Sequence, residues 1–269
     1  MAIGLNSDLT STRFLQQTDR RLSNNLGRLS SGKRLVRASD DAAGLAIAQK
    51  LRAQLGSLEQ ASRNVDHGVS LGQVADSAMG DQGDMLIRMR ELAVQSANGT
   101  LGDAERASIQ QEFNELRAEV DRVASSTDFN GQSVLTGQSF DMQAGTGAGA
   151  ADVVTVNTPD TRAATLGLAP LNVATQGGAQ AALGGLDDAI AQVASGRGEV
   201  GAAVNRLHSA RSNLAAAVQN TASSLSRIAD ADVASEASSL AANSVLMRSG
   251  IAMQRQANTT KGLLVNLIT

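Results

Sequence analysis

The chain has no cysteine, so disulfides, thiolate metal sites and cysteine nucleophiles are all excluded. Tryptophan and tyrosine are also absent, and only four phenylalanines (Phe14, Phe113, Phe129 and Phe140) occur in 269 residues. A wide globular core draws much of its buried area from aromatic rings. Here the apolar 42% is mostly Ala, Leu, Val, Ile and Met, side chains that suit thin seams between closely approaching helices. Proline is confined to Pro159 and Pro170, which leaves both flanks free of helix breakers. Net charge is −3, with both signs spread along the chain; this provides neither a basic footprint for nucleic acid nor a polybasic membrane anchor. No apolar run approaches a membrane span. Residues 1–20 lack a basic patch followed by an apolar stretch, so no cleavable signal is expected, and leaving the cell would require a dedicated export route.

What remains is helical periodicity. From Leu183 to Ile228, steps of three and four residues pick out fourteen positions, eleven of them apolar. A period of 3.5 residues keeps one stripe facing a partner helix, which predicts a coiled-coil helix roughly 70 Å long. Arg197 and Arg211 fall on this stripe and are expected to bury their stems while their charges reach water or an acid across the interface. A second helix is expected after the N-cap signal Ser39-Asp40-Asp41. Its stripe reads Leu51, Leu55, Leu58, Val65, Val69, then shifts phase through Leu71, Ala75, Ala78, Met85, Met89 and Leu92, with Asn98-Gly99 as the stop. Asp103 is expected to cap a third helix carrying Ile109, Phe113, Leu116, Val120 and Val123, and Asn130-Gly131 then signals a turn.

The middle changes character. Phe140, Met142 and Ala144 alternate on one face, residues 153–156 alternate as well, and Gly145-Thr-Gly-Ala-Gly149 lies between them, which predicts a small β-hairpin with a flexible tip. Residues 157–178 read as loop. At the ends, Leu15, Leu22, Leu29 and Val36 recur every seven residues, and Leu240, Met247, Ile251, Leu263, Leu264, Leu267 and Ile268 form a looser apolar face. Ordinary termini are polar and fray, so these faces need a partner. The fold class is therefore mainly α: a long antiparallel coiled-coil bundle of N- and C-terminal segments with a small β-hairpin in the middle.

Chemistry-bearing constellations are missing. His67 and His208 have no Cys, His or carboxylate neighbours at ligand spacing. Ser30-Ser-Gly-Lys33 has the spacing of a Ser-x-x-Lys motif without its companions. Gly145-x-Gly-x-Gly149 lacks the strand-to-helix context and lysine of a phosphate loop. Asp40-Asp41 read as an N-cap, Asp230 and Asp232 as helix-junction charges, and the methionines as gap-filling packing. No catalytic, metal or cofactor site is expected, and no cofactor.

Several segments then resemble one family. Arg28-Leu-Ser-Ser-Gly-Lys-Arg-Leu35 with Ser39-Asp-Asp-Ala-Ala-Gly-Leu-Ala-Ile47, Gln60-Ala-Ser-Arg-Asn-Val-Asp-His-Gly-Val69, Arg90-Glu-Leu-Ala-Val-Gln-Ser-Ala-Asn98, Glu119-Val-Asp-Arg-Val-Ala124 and Phe129-Asn-Gly131 resemble bacterial flagellins on the N-terminal side. Ser226-Arg-Ile-Ala-Asp-Ala-Asp232 and Gln256-Ala-Asn258 resemble them on the other. The resemblance implies a short flagellin without large outer domains, a structural subunit that polymerises into the extracellular filament and is not an enzyme. It implies terminal helices over 1–40 and 233–269 forming the filament's inner tube, a helical core over 41–135 and 180–232, and a hairpin and loop over 136–179 in place of outer domains. It also implies type III export, an export chaperone at the C-terminal helix, and flagellar junction and cap proteins as partners, with no nucleic acid and no membrane. The expected subunit-interface residues are Leu15, Leu22, Leu29 and Val36 at one end and Ile251, Leu264, Leu267 and Ile268 at the other. Arg88, Glu91, Leu92 and Glu112 match the segment of many flagellins that an animal Toll-like receptor reads, with Ile87 where a glutamine is common. Thr259-Thr-Lys-Gly262 departs from the family's Pro and Gln. The rival readings are the related hook–filament junction protein and, from another class, a secreted membrane-active helical effector. Near-neutral charge and missing aromatic anchors count against the effector.

Overall fold

A computed structural model describes the backbone of residues 2–268 and the side-chain surroundings of residues 10–260. Five helices carry the fold: α1 (Ala2–Ser31), α2 (Ala42–Ser96), α3 (Asp103–Ser126), α4 (Gln176–Ala229) and α5 (Val233–Ile268). Two antiparallel hairpins lie between α3 and α4: β1 (Asp128–Phe129) with β2 (Gln132–Ser133), and β3 (Ser139–Gln143) with β4 (Val153–Asn157). The chain divides into a terminal unit, residues 1–55 with 220–269, and a central unit, residues 56–219.

The central unit is built on one seam. On α2 one buried row runs Leu58, Ala61, Val65, Gly68, Gly72, Ala75, Met79, Gln82, Leu86, Met89, Ala93 and Ser96 in alternating steps of three and four, with Val69, Leu71, Ala78 and Leu92 buried beside it. The expected residues past the shift, Leu71, Ala75, Ala78, Met89 and Leu92, are buried and Met85 is half-buried, but a second row keeps one phase through Val69. Gly68, Gly72 and Gln82 occupy seam positions, and a hydrophobicity pattern does not register them. On α4 the buried row is Ala179, Ala182, Leu186, Ala189, Val193, Gly196, Val200, Ala203, Leu207 and Leu214. The expected stripe held Leu186, Val193, Val200, Leu207 and Leu214, but the alternate positions lie one residue earlier. Leu183, Ile190 and Val204 are half-buried flanks, and small residues face the seam instead.

The physical reason is close approach. A Cβ on Gly72 would stand 2.4 Å from Val204 Cγ2, and one on Gly196 would stand 2.6 Å from Pro159 Cγ. Three ion pairs hold the antiparallel register of α2 and α4: Asp66–Arg211 at 3.2 Å, Asp76–Arg197 at 2.8 Å and Arg90–Asp187 at 2.6 Å. Arg197 and Arg211 thus reach acids across the seam, as their positions suggested.

Helix α3 packs Ile109, Phe113, Val120 and Ala124 into the same core. Its N-cap is Gly102 rather than Asp103, which stands in the first turn and makes no capping bond; there its charge still complements the helix dipole. Asn130 and Gly131, with φ of 55° and 78°, make the two-residue turn of the first hairpin. The second hairpin pairs Phe140 with Val156 and Met142 with Val154, which puts Phe140, Val154 and Val156 into the core.

Of the expected loop 157–178, Asn157 ends β4 and residues 176–178 open α4; the non-helical remainder, 158–175, forms a wall of the core. Ala163, Leu166, Leu168 and Val173 are buried. Buried Gln82 donates to the carbonyls of Val120 (3.0 Å) and Thr161 (3.4 Å), and Ser96 Oγ donates to Val173 O. Asp121 accepts from Ala163 N at 3.1 Å. Arg106, 5% exposed, donates to the carbonyls of Asn98 (2.9 Å) and Leu101 (3.2 Å) and so closes the α2–α3 turn.

Candidate assembly interface

In the terminal unit α1 and α5 pair antiparallel. The inward row of α1 is Ser11, Leu15, Thr18, Leu22, Asn25 and Leu29, and that of α5 is Glu236, Leu240, Asn243, Met247, Gly250, Gln254 and Ala257. Both rows step by four and three, the spacing of a two-helix seam. A Cβ on Gly250 would lie 2.7 Å from Leu15 Cδ2, so glycine makes the notch into which Leu15 fits. Arg28 pairs with Glu236 at 3.1 Å. Half of the α1 row is polar. Thr18 bonds back to Phe14 O at 2.9 Å, whereas the buried amide nitrogen of Asn25 has no partner.

Both chain strands leave helical geometry at one level. Gly32 ends α1 with φ 65°, a left-handed C-cap that glycine adopts without strain. Ala231 N donates to Gly32 O at 3.0 Å and Arg34 N to Ala229 O at 2.7 Å, and the Arg34 guanidinium donates to Ile228 O at 2.6 Å. Asp40 accepts from the backbone N–H groups of Arg37 (2.9 Å) and Val36 (3.2 Å). The Arg37 bond is the main cause that holds the Asp40 carboxyl below its ordinary value. Asp41 accepts from Gly44 N at 2.8 Å and is the N-cap of α2. Asp232 accepts from Ala234 N and Ser235 N and caps α5.

The expected interface residues separate on this frame. Leu15, Leu22 and Leu29 are half-buried in the row that faces α5 of the same chain. Val36 and Ile251 are exposed, at 45% and 40%. The side chains of Leu264, Leu267 and Ile268 lie outside the described residues. Of the eleven large apolar side chains exposed among the described residues, nine lie in the terminal unit, and Phe14, Leu26, Ile47, Val233, Val245, Leu246 and Met253 join Val36 and Ile251. Phe14, Leu26, Val245, Leu246, Ile251 and Met253 fall off the two seam rows, whereas Val36 continues the Leu15, Leu22 and Leu29 heptad beyond the end of α1. Charge divides along the same boundary. The terminal unit holds thirteen basic and seven acidic residues, a net +6, and the central unit ten and nineteen, a net −9.

Arg88 bridges Glu91 (3.0 Å) and Glu112 (2.9 Å), all three well exposed, and these ion pairs raise the Arg88 pKa, the Glu112 hydrogen bond most of all. Leu92, 1% exposed, belongs to the core, so in the folded unit it packs inward and does not face a receptor. Ile87 is 49% exposed beside the cluster. Among the described residues no three His, Asp or Glu side chains form a metal-binding group, and no helix is long and apolar enough to cross a membrane.

Seam-paired long helices, with apolar side chains left in water at one unit, define a helical structural subunit built to associate. Comparison with known proteins gives the same class. The bacterial flagellin N-terminal helical region matches residues 5–139, and the C-terminal helical region matches residues 183–268. The flagellar filament 33 kDa core protein of Treponema phagedenis is 37% identical over 97% of both chains. A flagellin of Halalkalibacterium halodurans is 38% identical over 90% of this chain and 89% of its own. The chain belongs to the bacterial flagellin family. Among solved structures, the Bacillus cereus flagellin matches 56% of this chain and 88% of its own, with 31% identity and a TM-score of 0.52. A putative flagellar hook-associated protein of Vibrio parahaemolyticus, 16% identical, shares the fold with a TM-score of 0.58 over 71% of this chain and all of its own.

Proposed function

We propose that this chain is a structural subunit that polymerises into the bacterial flagellar filament and so serves swimming motility. Membership of the flagellin family supports the filament. The observation that supports the contact surface is the gathering of nine exposed large apolar residues on the terminal unit. Isolated, such a surface is a liability; against another copy it becomes the driving force for association.

In this reading the subunit-facing set is Phe14, Leu26, Val36, Ile47, Val245, Leu246, Ile251 and Met253, with Leu264, Leu267 and Ile268 continuing it by sequence. Leu15, Leu22 and Leu29 act one step earlier, holding α1 on α5 so that the outer face is presented. In the same proposal 1–40 and 233–269 form the inner tube, 41–135 and 180–232 the core, and 136–179 stand in place of outer domains. Export through the flagellar type III apparatus, a chaperone on the C-terminal helix, and junction and cap proteins follow from the family. An innate receptor would meet the exposed Arg88–Glu91–Glu112 cluster.

The test is seeded polymerisation of the full-length protein carrying Leu26→Asp or Leu264→Asp, read by sedimentation and electron microscopy. Both variants are expected to leave the melting of the central unit unchanged and to yield no filaments. Normal filaments from both would overturn the assigned surface, and a parent chain that never forms long filaments would overturn the function.

A further inference from the structure

The α1–α5 seam does not encode its own alignment. Its α1 row alternates Ser11, Thr18 and Asn25 with Leu15, Leu22 and Leu29, each set recurring every seven residues. The α5 row likewise alternates Leu240, Met247 and Gln254 with Asn243, Gly250 and Ala257. In the observed register Leu15 meets Gly250, and the heptad carries Leu22 to the level of Asn243. A slip of one heptad, about 10 Å along the axis, would put Leu15 at Ala257 and Leu22 at Gly250. Leucines would again meet small or polar residues, and the polar α1 positions would again meet the longer α5 side chains. Apolar burial therefore barely distinguishes the two registers, so the alignment must be set elsewhere.

We propose that Arg34 is the positioning residue that sets this register. Its backbone N–H donates to Ala229 O at 2.7 Å and its guanidinium to Ile228 O at 2.6 Å, so it holds the carbonyl end of α4 just before α5 begins. Cationic donors are favoured at that end, where backbone carbonyls lack helical partners. With the Ala231 N to Gly32 O bond, these contacts fix which residue of the returning strand stands opposite the end of α1. Gly32 with Ala231, Arg34 with Ala229, Arg28 with Glu236 and Leu15 with Gly250 share one antiparallel alignment, so the clamp's register is the one the whole pair adopts. The Arg28–Glu236 pair lies nearby but joins two flexible side chains, whereas Arg34 binds fixed backbone carbonyls, so the pair is the weaker constraint.

A chain without cysteine allows a clean test. Thr18→Cys with Met247→Cys reports the observed register, and Thr18→Cys with Gln254→Cys reports the slipped one. Each pair is oxidised in the full-length protein, both soluble and polymerised, and disulfide yields are read from whichever state forms a bond. With Arg34 present, only the 18–247 bond is expected. Arg34→Ala removes the guanidinium bond and keeps the two backbone bonds; it is expected to bring the 18–254 bond up to a readily detected yield at the expense of 18–247, Arg34→Lys to restore most of the parent pattern, and Arg28→Ala to leave it unchanged. The proposal is overturned if Arg34→Ala keeps the parent pattern, if the parent forms both bonds or neither, or if Arg34→Ala loses both while helicity by circular dichroism is retained.

Discussion

The α2–α4 seam predicts opposite outcomes for one chemical change at two positions on the same helix. Gly72 faces Val204 and Val200 of α4: a methyl group there would stand 2.4 Å from Val204 Cγ2 and 3.6 Å from Val200 Cγ1. Carbon atoms pack at about 3.5–4.0 Å, so the first contact is roughly 1 Å too short. Val204 is β-branched and has few rotamers to escape into, so α2 and α4 must shift apart. Overpacking of this kind costs about 1–3 kcal/mol. Gly83, eleven residues on, has nothing within 4 Å of an added Cβ, so alanine there gains helix propensity of roughly 0.5–1 kcal/mol with no clash. For a unit of this size each kcal/mol moves the melting temperature by about 2–4 °C. Gly72→Ala should therefore lower the melting temperature of the central unit by about 2–12 °C and Gly83→Ala should raise it by about 1–4 °C, both followed by circular dichroism. Equal shifts of the same sign, or a Gly72→Ala protein as stable as the parent, would refute the close approach of the two helices.

Two further outcomes are expected of the central unit. Asp160 is held well below the usual carboxylate range, first by the Arg162 guanidinium at 2.6 and 2.9 Å and then by the Arg162 N–H and the Thr165 hydroxyl, against the opposing effect of burial. A lowered native pKa contributes stability that is complete above the ordinary value of about 3.9 and is lost as pH falls below it. The melting-temperature gap between the parent and Asp160→Asn should therefore be constant above pH of about 5 and close as pH falls toward 2; a flat or widening gap would contradict the assignment. Phe113, fully buried against α3's neighbours, should cost about 3–5 kcal/mol as Phe113→Ala in denaturant titration, and a loss below about 1 kcal/mol would mean that the site collapses or is not core.

The parts of this fold legible in the sequence were those written in large apolar residues or in turn chemistry. The heptad of Leu186, Val193, Val200, Leu207 and Leu214 predicted α4 and its buried face, and Phe140 and Met142 predicted the hairpin face. The Asp41 cap and the Asn130-Gly131 turn were readable for the same reason: few residues make those local bonds or adopt those angles. Missing from the pattern were the seam positions filled by Ala182, Ala189, Gly196, Gly68 and Gly72, which carry little hydrophobic signal because their value is the space they leave. Gln82 and Arg106 were illegible for another reason. Each is buried because its hydrogen bonds go to carbonyls far away in sequence or across a turn, Val120 and Thr161 for the first, Asn98 and Leu101 for the second. The 158–175 wall lacks any period, so nothing in it announced that Leu166, Leu168 and Val173 would be core. At the assembly surface the seven-residue recurrence of Leu15, Leu22 and Leu29 was visible, but recurrence alone does not say whether the partner helix belongs to the same chain or to another copy.

That last distinction is the centre of the account, and a helical reconstruction of the polymerised full-length protein by electron cryomicroscopy tests it most directly. The expected map keeps Leu15, Leu22 and Leu29 against α5 of their own chain and places Phe14, Leu26, Val36 and Ile251 within contact distance of neighbouring copies. A map in which those four side chains remain in solvent while copies touch elsewhere would contradict it.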